Sequence, residues 1–343
     1  LLLRAPHSAF ELTTVSDPTP GPGEAVARVL ACGSGLTIQH IKAGRIPARF
    51  PRIIGHEIAG EIVAAGPGVH ALATGDAVTA YYYLYCGRCR YCLANLEPLC
   101  LASGGNVGKD CDGGYAEYIK LPARNFIRLP EGLDHRAHAA EIGVVTDALA
   151  TPYKVLRRAQ VKPGETVAVF GAGGGLGLHQ IMLAAWARAR VIAIEAKANK
   201  RAACRDAGAE HFVDGSADPV PAILELTHGA GVDVAIDYVS TTQTLEAAAR
   251  SLGARGRLVT LGGAGQSFRV SALDLLVKEQ ALLGSRYVSR IEVLETLDLV
   301  ARREIWPIVT DIRPLAEAEA LHASVEAGEV LGRAALRIAP GSR

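Results

Sequence analysis

The sequence predicts a two-domain α/β protein, a turn-rich β domain joined to a parallel sheet flanked by helices. Three observations carry this. The chain has 343 residues, more than one hydrophobic core usually serves. Up to about residue 125, short β-branched or apolar runs are broken by Gly and Pro, as in Gly60-Glu61-Ile62-Val63 before Gly66-Pro67-Gly68, a pattern of β structure rich in turns. After Val161-Lys162-Pro163-Gly164, apolar strands alternate with alanine-rich helical stretches, as in a parallel sheet with helices on both faces. A domain boundary near residue 150 follows. With no internal repeat or low-complexity linker, the domains are expected to pack directly, with a cleft between them as the default site.

Composition narrows the function classes. Hydrophobic residues make up 49% of the chain, and 36 basic against 35 acidic residues leave a net charge of +1. That balance, without long runs of either sign, argues against nucleic-acid or acidic-membrane partners. The opening Leu1-Leu2-Leu3-Arg4 is short for a signal-peptide core, and no apolar stretch approaches the roughly 20 residues of a membrane span, so a cytoplasmic protein is expected. Seven cysteines then point to metal binding rather than disulfides. Four of them, Cys86, Cys89, Cys92 and Cys100, follow Cys-x2-Cys-x2-Cys-x7-Cys. Such spacing lets four thiolates converge on one tetrahedral zinc, and a site closed by four sulfurs leaves no position for substrate. The row therefore predicts a structural site.

The second domain opens with the strand Thr166–Phe170, then Gly171-Ala172-Gly173-Gly174-Gly175-Leu176-Gly177, then a helix from His179 to Ala187. In that order the glycines allow a tight turn and close approach of a pyrophosphate, and the helix N-terminus offers unpaired amides. The spacing departs from strict Gly-x-Gly-x-x-Gly by one glycine. A second strand, Arg190–Ile194, ends in Glu195, 22 residues after Gly173. A carboxylate there can accept both ribose hydroxyls and repels a 2′-phosphate, which favours NAD. Lys197 and Lys200 could neutralise a 2′-phosphate, so NADP stays open. Gly262 and Gly263, at the end of the later strand Arg257–Leu261, would let the chain pass close to a nicotinamide ring.

The remaining candidate chemistry lies in Ala31-Cys32-Gly33-Ser34-Gly35 and Gly55-His56-Glu57. Taken singly, Cys32 reads as a small buried hydrophobe and His56 as a core histidine. Together with the four-cysteine lobe, Asp112-Gly113-Gly114-Tyr115-Ala116-Glu117-Tyr118 and the nucleotide domain, they make a chain that resembles the zinc-dependent medium-chain alcohol dehydrogenases over nearly its full length. The resemblance implies a GroES-like catalytic domain of residues 1–150 and 287–343, with a structural zinc lobe at 85–101, and a Rossmann NAD-binding domain at 151–286. It implies two zinc ions per subunit. The catalytic one would be held by Cys32, His56 and Asp147, the last placed four residues before Thr151, with Glu57 able to enter or leave the coordination sphere.

The implied reaction is reversible hydride transfer between NAD and a primary or secondary alcohol bound at that zinc, with Ser34 opening the proton path. Thr151, Lys200 and Arg333 are implied cofactor contacts, Lys200 at the adenosine ribose and Arg333 at the pyrophosphate. Homodimers or homotetramers joined at sheet edges are implied as well, with Ala281-Leu282-Leu283-Gly284-Ser285 a plausible edge. The chain departs from the family where the latter reads Cys-x-Ser/Thr-Asp-x-His. Gly35 replaces the aspartate that orients the zinc-bound histidine and Thr37 replaces the relay histidine, leaving Thr37 or His40 as relay candidates. Loss of such an outer carboxylate commonly costs ~10–100-fold in affinity or activity, so another group is expected to hold His56. Two alternatives remain at this stage: a reductase of activated carbon–carbon double bonds, and a non-catalytic nucleotide- and zinc-binding protein of the same fold.

Overall fold

The computed structural model describes residues 1–338. The chain divides into two compact units, one formed by Leu1–Ala150 with the chain from Val288 onward, the other by Thr151–Tyr287. Residues 339–343 of the implied first domain lie outside the described residues. Among those described, no helix is long and apolar enough to cross a membrane.

Strands of the first unit's opening stretch are β1 (Glu24–Ser34), β2 (Glu57–Ala65), β3 (Ala77–Ala80), β4 (Tyr118–Pro122) and β5 (Phe126–Arg128). The second unit contributes β6 (Thr166–Phe170), β7 (Arg190–Glu195), β8 (His211–Asp214), β9 (Val232–Asp237), β10 (Leu252–Thr260) and β11 (Ala281–Gly284). The chain then returns to the first unit for β12 (Val309–Pro314) and β13 (Arg333–Arg337).

In the first unit the sheet runs β12-β13-β1-β2-β3-β5, with β4 also paired to β1. The central strand β1 is the keystone, pairing antiparallel with β13, β2 and β4. Its register sets Gly33 opposite both Glu57 of β2 and Ala335 of β13, and Ser34 opposite Ala334. Residues 300 positions apart are thereby brought to one place. The helix Ala139–Val144 packs on β1 and β2, and a π-helical segment, Val145–Leu149, follows it. Such a bulge is frequent where a side chain must be re-aimed at a functional site, and it carries Asp147.

The second unit is a six-stranded sheet ordered β11-β10-β9-β6-β7-β8 with parallel pairings. Strand β6, Thr-Val-Ala-Val-Phe, is buried along nearly its whole length, as expected of a central parallel strand covered on both faces. Because the chain winds outward in both directions from β6, the strand order reverses between β6 and β9, where such sheets bind ligands at the carboxyl ends. The glycine turn sits there, and the helix Gly175–Trp186 starts from it.

Gly177 decides how closely that helix approaches its strand. A methyl group added at Gly177 would stand 2.2 Å from the Gly171 carbonyl oxygen and 2.6 Å from that of Ala172, and backbone cannot swing aside as a side chain can. Gly177→Ala is therefore expected to destabilise the second unit by about 1–3 kcal/mol, the usual cost of overpacking, measured as a fall in the urea midpoint without a change in slope. An unchanged midpoint would contradict the close packing.

Candidate active site

A buried ion cluster occupies the β13-β1-β2 corner of the first unit. Alternation along a strand sends successive side chains to opposite faces. On one face, Gly33 is directed at Glu57: a Cβ at Gly33 would lie 2.1 Å from Glu57 Oε2. At Gly35 a Cβ would lie 2.1 Å from Arg333 Nη1 and 2.2 Å from its Cζ. The guanidinium of Arg333 therefore fills the volume that a side chain at 35 would take. It holds Glu57 in a two-point pair, Nε at 2.9 Å from Oε2 and an Nη at 2.8 Å from Oε1, and reaches Asp147 Oδ2 at 3.2 Å. The Ala148 backbone N–H also donates to Glu57 Oε1 at 3.0 Å. Glu57, Asp147 and Arg333 are 0%, 5% and 6% exposed, so one cation is shared by two desolvated carboxylates.

The electrostatics follow from burial. Desolvation raises the Glu57 carboxyl above its ordinary range, opposed by Arg333 and reinforced by Asp147. Burial pushes the Cys32 thiol well up, and Glu57 adds to this. His56 Nε2 lies 3.4 Å from Asp147 Oδ2.

The same atoms provide a test of whether zinc fits. Tetrahedral bonds of about 2.0–2.2 Å to N and O place two donors about 3.3–3.6 Å apart, and the His56–Asp147 pair falls in that range. Cys32 is fully buried at the same corner, its sulfur against Gly55 and Gly114 and 3.6 Å from the Gly33 carbonyl oxygen. The ligand atoms of Cys32, His56 and Asp147 do not all lie within 4.8 Å of one another, and the Arg333 guanidinium donates to the same Asp147 oxygen that faces His56, so a zinc ion here requires these side chains to rearrange. The donor chemistry of thiolate, imidazole and carboxylate suits zinc.

In the lobe, Cys86, Cys89, Cys92 and Cys100 do meet that criterion and are the one such group among the described residues. Their sulfurs are 3.5 Å (Cys89–Cys92), 3.8 Å (Cys86–Cys92) and 4.0 Å (Cys89–Cys100) apart. Four Zn–S bonds of about 2.3 Å require about 3.8 Å between sulfurs. Backbone amides of Cys86 and Cys89 donate to the Cys100 and Cys86 sulfurs, which favours the thiolate form that zinc binds.

Ser34 faces away from the ion cluster, into a buried polar group that sequence reading missed. Its Oγ lies 2.7 Å from Tyr115 Oη and 3.1 Å from His322 Nε2, and Tyr115 Oη lies 2.8 Å from the same nitrogen. His322 Nδ1 is 2.8 Å from Gln39 Oε1. Nothing local in the sequence marks His322, which meets Ser34 across 288 residues. Thr37 and His40 lie on the helix Leu36–Lys42. His40 is half-buried, and burial and Arg45 lower its pKa.

The glycine turn of the second unit is clamped by two residues read as cofactor contacts. Glu195 Oε2 accepts from the Gly173 amide at 2.9 Å and Oε1 from the Lys197 amide at 3.0 Å. Lys200, 5% exposed, donates to the Gly173 carbonyl at 3.1 Å. Gly171 has φ +72°, a left-handed conformation that glycine adopts without strain. A cavity of about 480 Å³ opens at the strand ends beside Gly171, Glu195 and Val239, where a dinucleotide is expected in such sheets. Gly174, Gly175 and Leu176 complete the turn and helix start, Gly262 follows β10, and Thr151 is buried in the helix Ala150–Ala159.

Two consequences can be measured. Arg333→Leu would strand two buried carboxylates and is expected to cost about 3–5 kcal/mol, the usual price of removing one partner of a buried pair. Adding Glu57→Gln should recover part of it, and an equal or larger loss in the double variant would contradict the pairing. Burial also pushes His322 down to about 3, against about 6.5 in an unfolded chain. Between those values the unfolded state takes up a proton that the folded state refuses. The neutral ring's contribution is whole above pH 6.5 and lost as pH falls toward 3, by up to about 1.4 kcal/mol per pH unit. Urea unfolding from pH 7 to 4 should show a shallower decline in His322→Leu than in the wild type; parallel curves would contradict it.

Comparison with known proteins agrees with this architecture. Residues 21–131 match the alcohol dehydrogenase GroES-like domain and residues 175–302 the zinc-binding dehydrogenase domain. An alcohol dehydrogenase of Geobacillus stearothermophilus is 33% identical, with 96% of each chain covered. An NAD-dependent alcohol dehydrogenase of Sulfurisphaera tokodaii is 29% identical over 95% of this chain and 96% of its own. A cobalt- and zinc-bound thermostable alcohol dehydrogenase from Pyrobaculum aerophilum superposes with a TM-score of 0.86 at 28% identity, covering 98% of this chain and 99% of that one. With a GroES-like unit, a Rossmann unit and a relative one-third identical across almost the whole length, the chain belongs to the zinc-dependent medium-chain alcohol dehydrogenase family.

Proposed function

We propose that this protein is an NAD-dependent alcohol dehydrogenase that interconverts a primary or secondary alcohol and its aldehyde or ketone, using a zinc ion held by His56, Asp147 and Cys32. The observation that supports the reading is the burial of Cys32, His56 and Asp147, a donor set suited to zinc, in the first unit. A zinc ion held there would supply Lewis acidity toward the alcohol or carbonyl oxygen. The remaining work belongs to side chains. Arg333 pairs with Glu57 and Asp147 in a desolvated corner and opposes the rise that burial imposes on the Glu57 carboxyl. On this reading Arg333 acts first on these carboxylates, and contact with a pyrophosphate is secondary. Ser34, which the resemblance implies as the start of the proton path, is turned from this corner toward Tyr115 and His322, so no proton step is assigned to it.

In the second unit, the glycine turn would receive the pyrophosphate at the N-terminus of the helix Gly175–Trp186, and Glu195 the adenosine ribose, so NAD is preferred over NADP. The four cysteines would hold a second, structural zinc. Strand β11 ends its sheet, and Leu273, Leu276 and Val277 nearby are 66%, 75% and 71% exposed. Apolar exposure beside an unpaired edge supports a homo-oligomer joined there.

The test is reduction of NAD by a panel of aliphatic and benzylic alcohols, followed through the absorbance of the reduced nicotinamide. Turnover with at least one alcohol is expected, and Cys32→Ala should lower it by 100-fold or more, roughly the upper range for disturbing a metal site. Full activity of Cys32→Ala, or reduction of activated double bonds without any alcohol oxidation, would refute the proposal.

A further inference from the structure

We infer that a hollow on the first unit, lined by Arg124, Arg128 and Arg290, is a binding site for a small phosphate dianion. It shares no residue with the metal corner or the glycine turn, and it does not depend on the alcohol dehydrogenase reading.

The hollow encloses about 340 Å³ and gathers parts of the chain that are distant in sequence. Gly23 lies ahead of β1, residues 68–72 form a loop after β2, Arg124 and Arg128 stand just before and at the end of β5, and Arg290 opens the helix Arg290–Ala301. A Cβ added at Gly23 or Gly68 would meet nothing within 4 Å, so the space beside these two backbones is open. Among the described residues the lining holds three arginines and His70 and no acidic side chain.

Pairing elsewhere shows what is unusual here. Other arginines of this chain are matched by carboxylates in two-point pairs, Arg45 with Glu326, Arg190 with Glu210 and Arg250 with Asp218. Arg124 and Arg290 have no ion pair among the described residues. The Arg124 guanidinium stands over the Tyr85 ring, 5.6 Å from its centroid. The Nε of Arg290 is buried with no hydrogen-bond partner, and Glu97 meets that residue at its backbone N–H, at 3.2 Å. Burial raises the Tyr85 hydroxyl, and Arg290 and Arg124 both oppose that rise, so the two charges act at one side chain. Arg128 is paired, donating to Asp76 Oδ2 at 2.6 Å and to the Ala71 carbonyl oxygen at 3.1 Å, which fixes its guanidinium against the loop.

Guanidiniums around one space repel one another, and the single carboxylate on Arg128 leaves the group cationic. Each stays charged at any working pH and offers planar N–H forks that match a phosphate in two-point contacts. A hollow of this volume suits a small ligand. A phosphate dianion there neutralises the unmatched charges of Arg124 and Arg290 and ties β5 to the helix on which the chain returns to the first unit.

Phosphorus NMR of inorganic phosphate titrated against the full chain, with zinc and NAD present, tests the assignment. Saturable binding with a dissociation constant on the order of 1 mM or tighter is expected, the strength a few charge-assisted contacts leave after the cost of association. Arg124→Gln and Arg290→Gln should each weaken it by ~10-fold, the loss of one charge-assisted contact. No saturable binding in the wild type, or binding of equal strength in the wild type and both variants, overturns the inference. Melting temperature gives a second reading, and Arg124 is exposed, so its replacement leaves the fold intact. Phosphate strengthens apolar burial in every variant alike. Against chloride at equal ionic strength, the rise in phosphate should therefore be larger in the wild type than in Arg124→Gln, and equal rises overturn the inference. Phosphate reaching the glycine turn would act on all three proteins equally and would not mimic the expected difference. A failure to oxidise any alcohol leaves both measurements unaffected.

Discussion

The constraint on which the rest depends is the sharing of one guanidinium by two buried carboxylates. Taking Glu57, Asp147 and Arg333 out of water costs several kcal/mol per ion unless their geometry and hydrogen bonds compensate. Here the two-point Arg333–Glu57 pair, the Asp147 contact and the Ala148 amide oppose that cost, although burial still raises the Glu57 carboxyl. The sheet is arranged to allow it. Strand β1 lies between β2 and β13 and offers glycine at both places where the ions approach, Gly33 against Glu57 and Gly35 against Arg333. A side chain at either position would collide with the pair.

This also explains the departure at Gly35. Read from the sequence, glycine there looked like a lost carboxylate and a weakened grip on His56. In the structure the space goes to Arg333, whose guanidinium pairs with Glu57 and Asp147. Electrostatic support for the site is therefore supplied by a cation from the last described strand rather than by an acid next to Cys32. Isolated motif matching does not show such an exchange, because the two positions lie almost 300 residues apart and meet only through the β1–β13 register.

The legible parts of this protein were those written in local spacing. The four cysteines sit within one loop, and their sulfurs converge as the intervals required. The glycine turn, its helix and Glu195 belong to one strand-turn-helix-strand unit, and the parallel sheet follows from apolar runs of strand length. What remained hidden was non-local. His322 sits in an otherwise ordinary amphipathic helix, and only the packing of that helix on the first sheet carries its ring to Ser34 and Tyr115. Arg333 was visible as a residue but not as a partner of Glu57. The internal use of Glu195 and Lys200 to brace the Gly173 peptide likewise needs coordinates, since spacing alone does not show how a turn is held.

The first unit holds the buried Glu57–Asp147–Arg333 cluster with His56 and Cys32, and the second presents a braced glycine turn at the point where its strand order reverses. The central claim is that the corner organised by Arg333 is a metal site in addition to the four-cysteine lobe. Elemental analysis of the purified protein tests it most directly. Two zinc ions per chain in the wild type, falling to one in Cys32→Ala with the fold retained, is the expected result; one zinc per chain in the wild type, unchanged by that substitution, would contradict it.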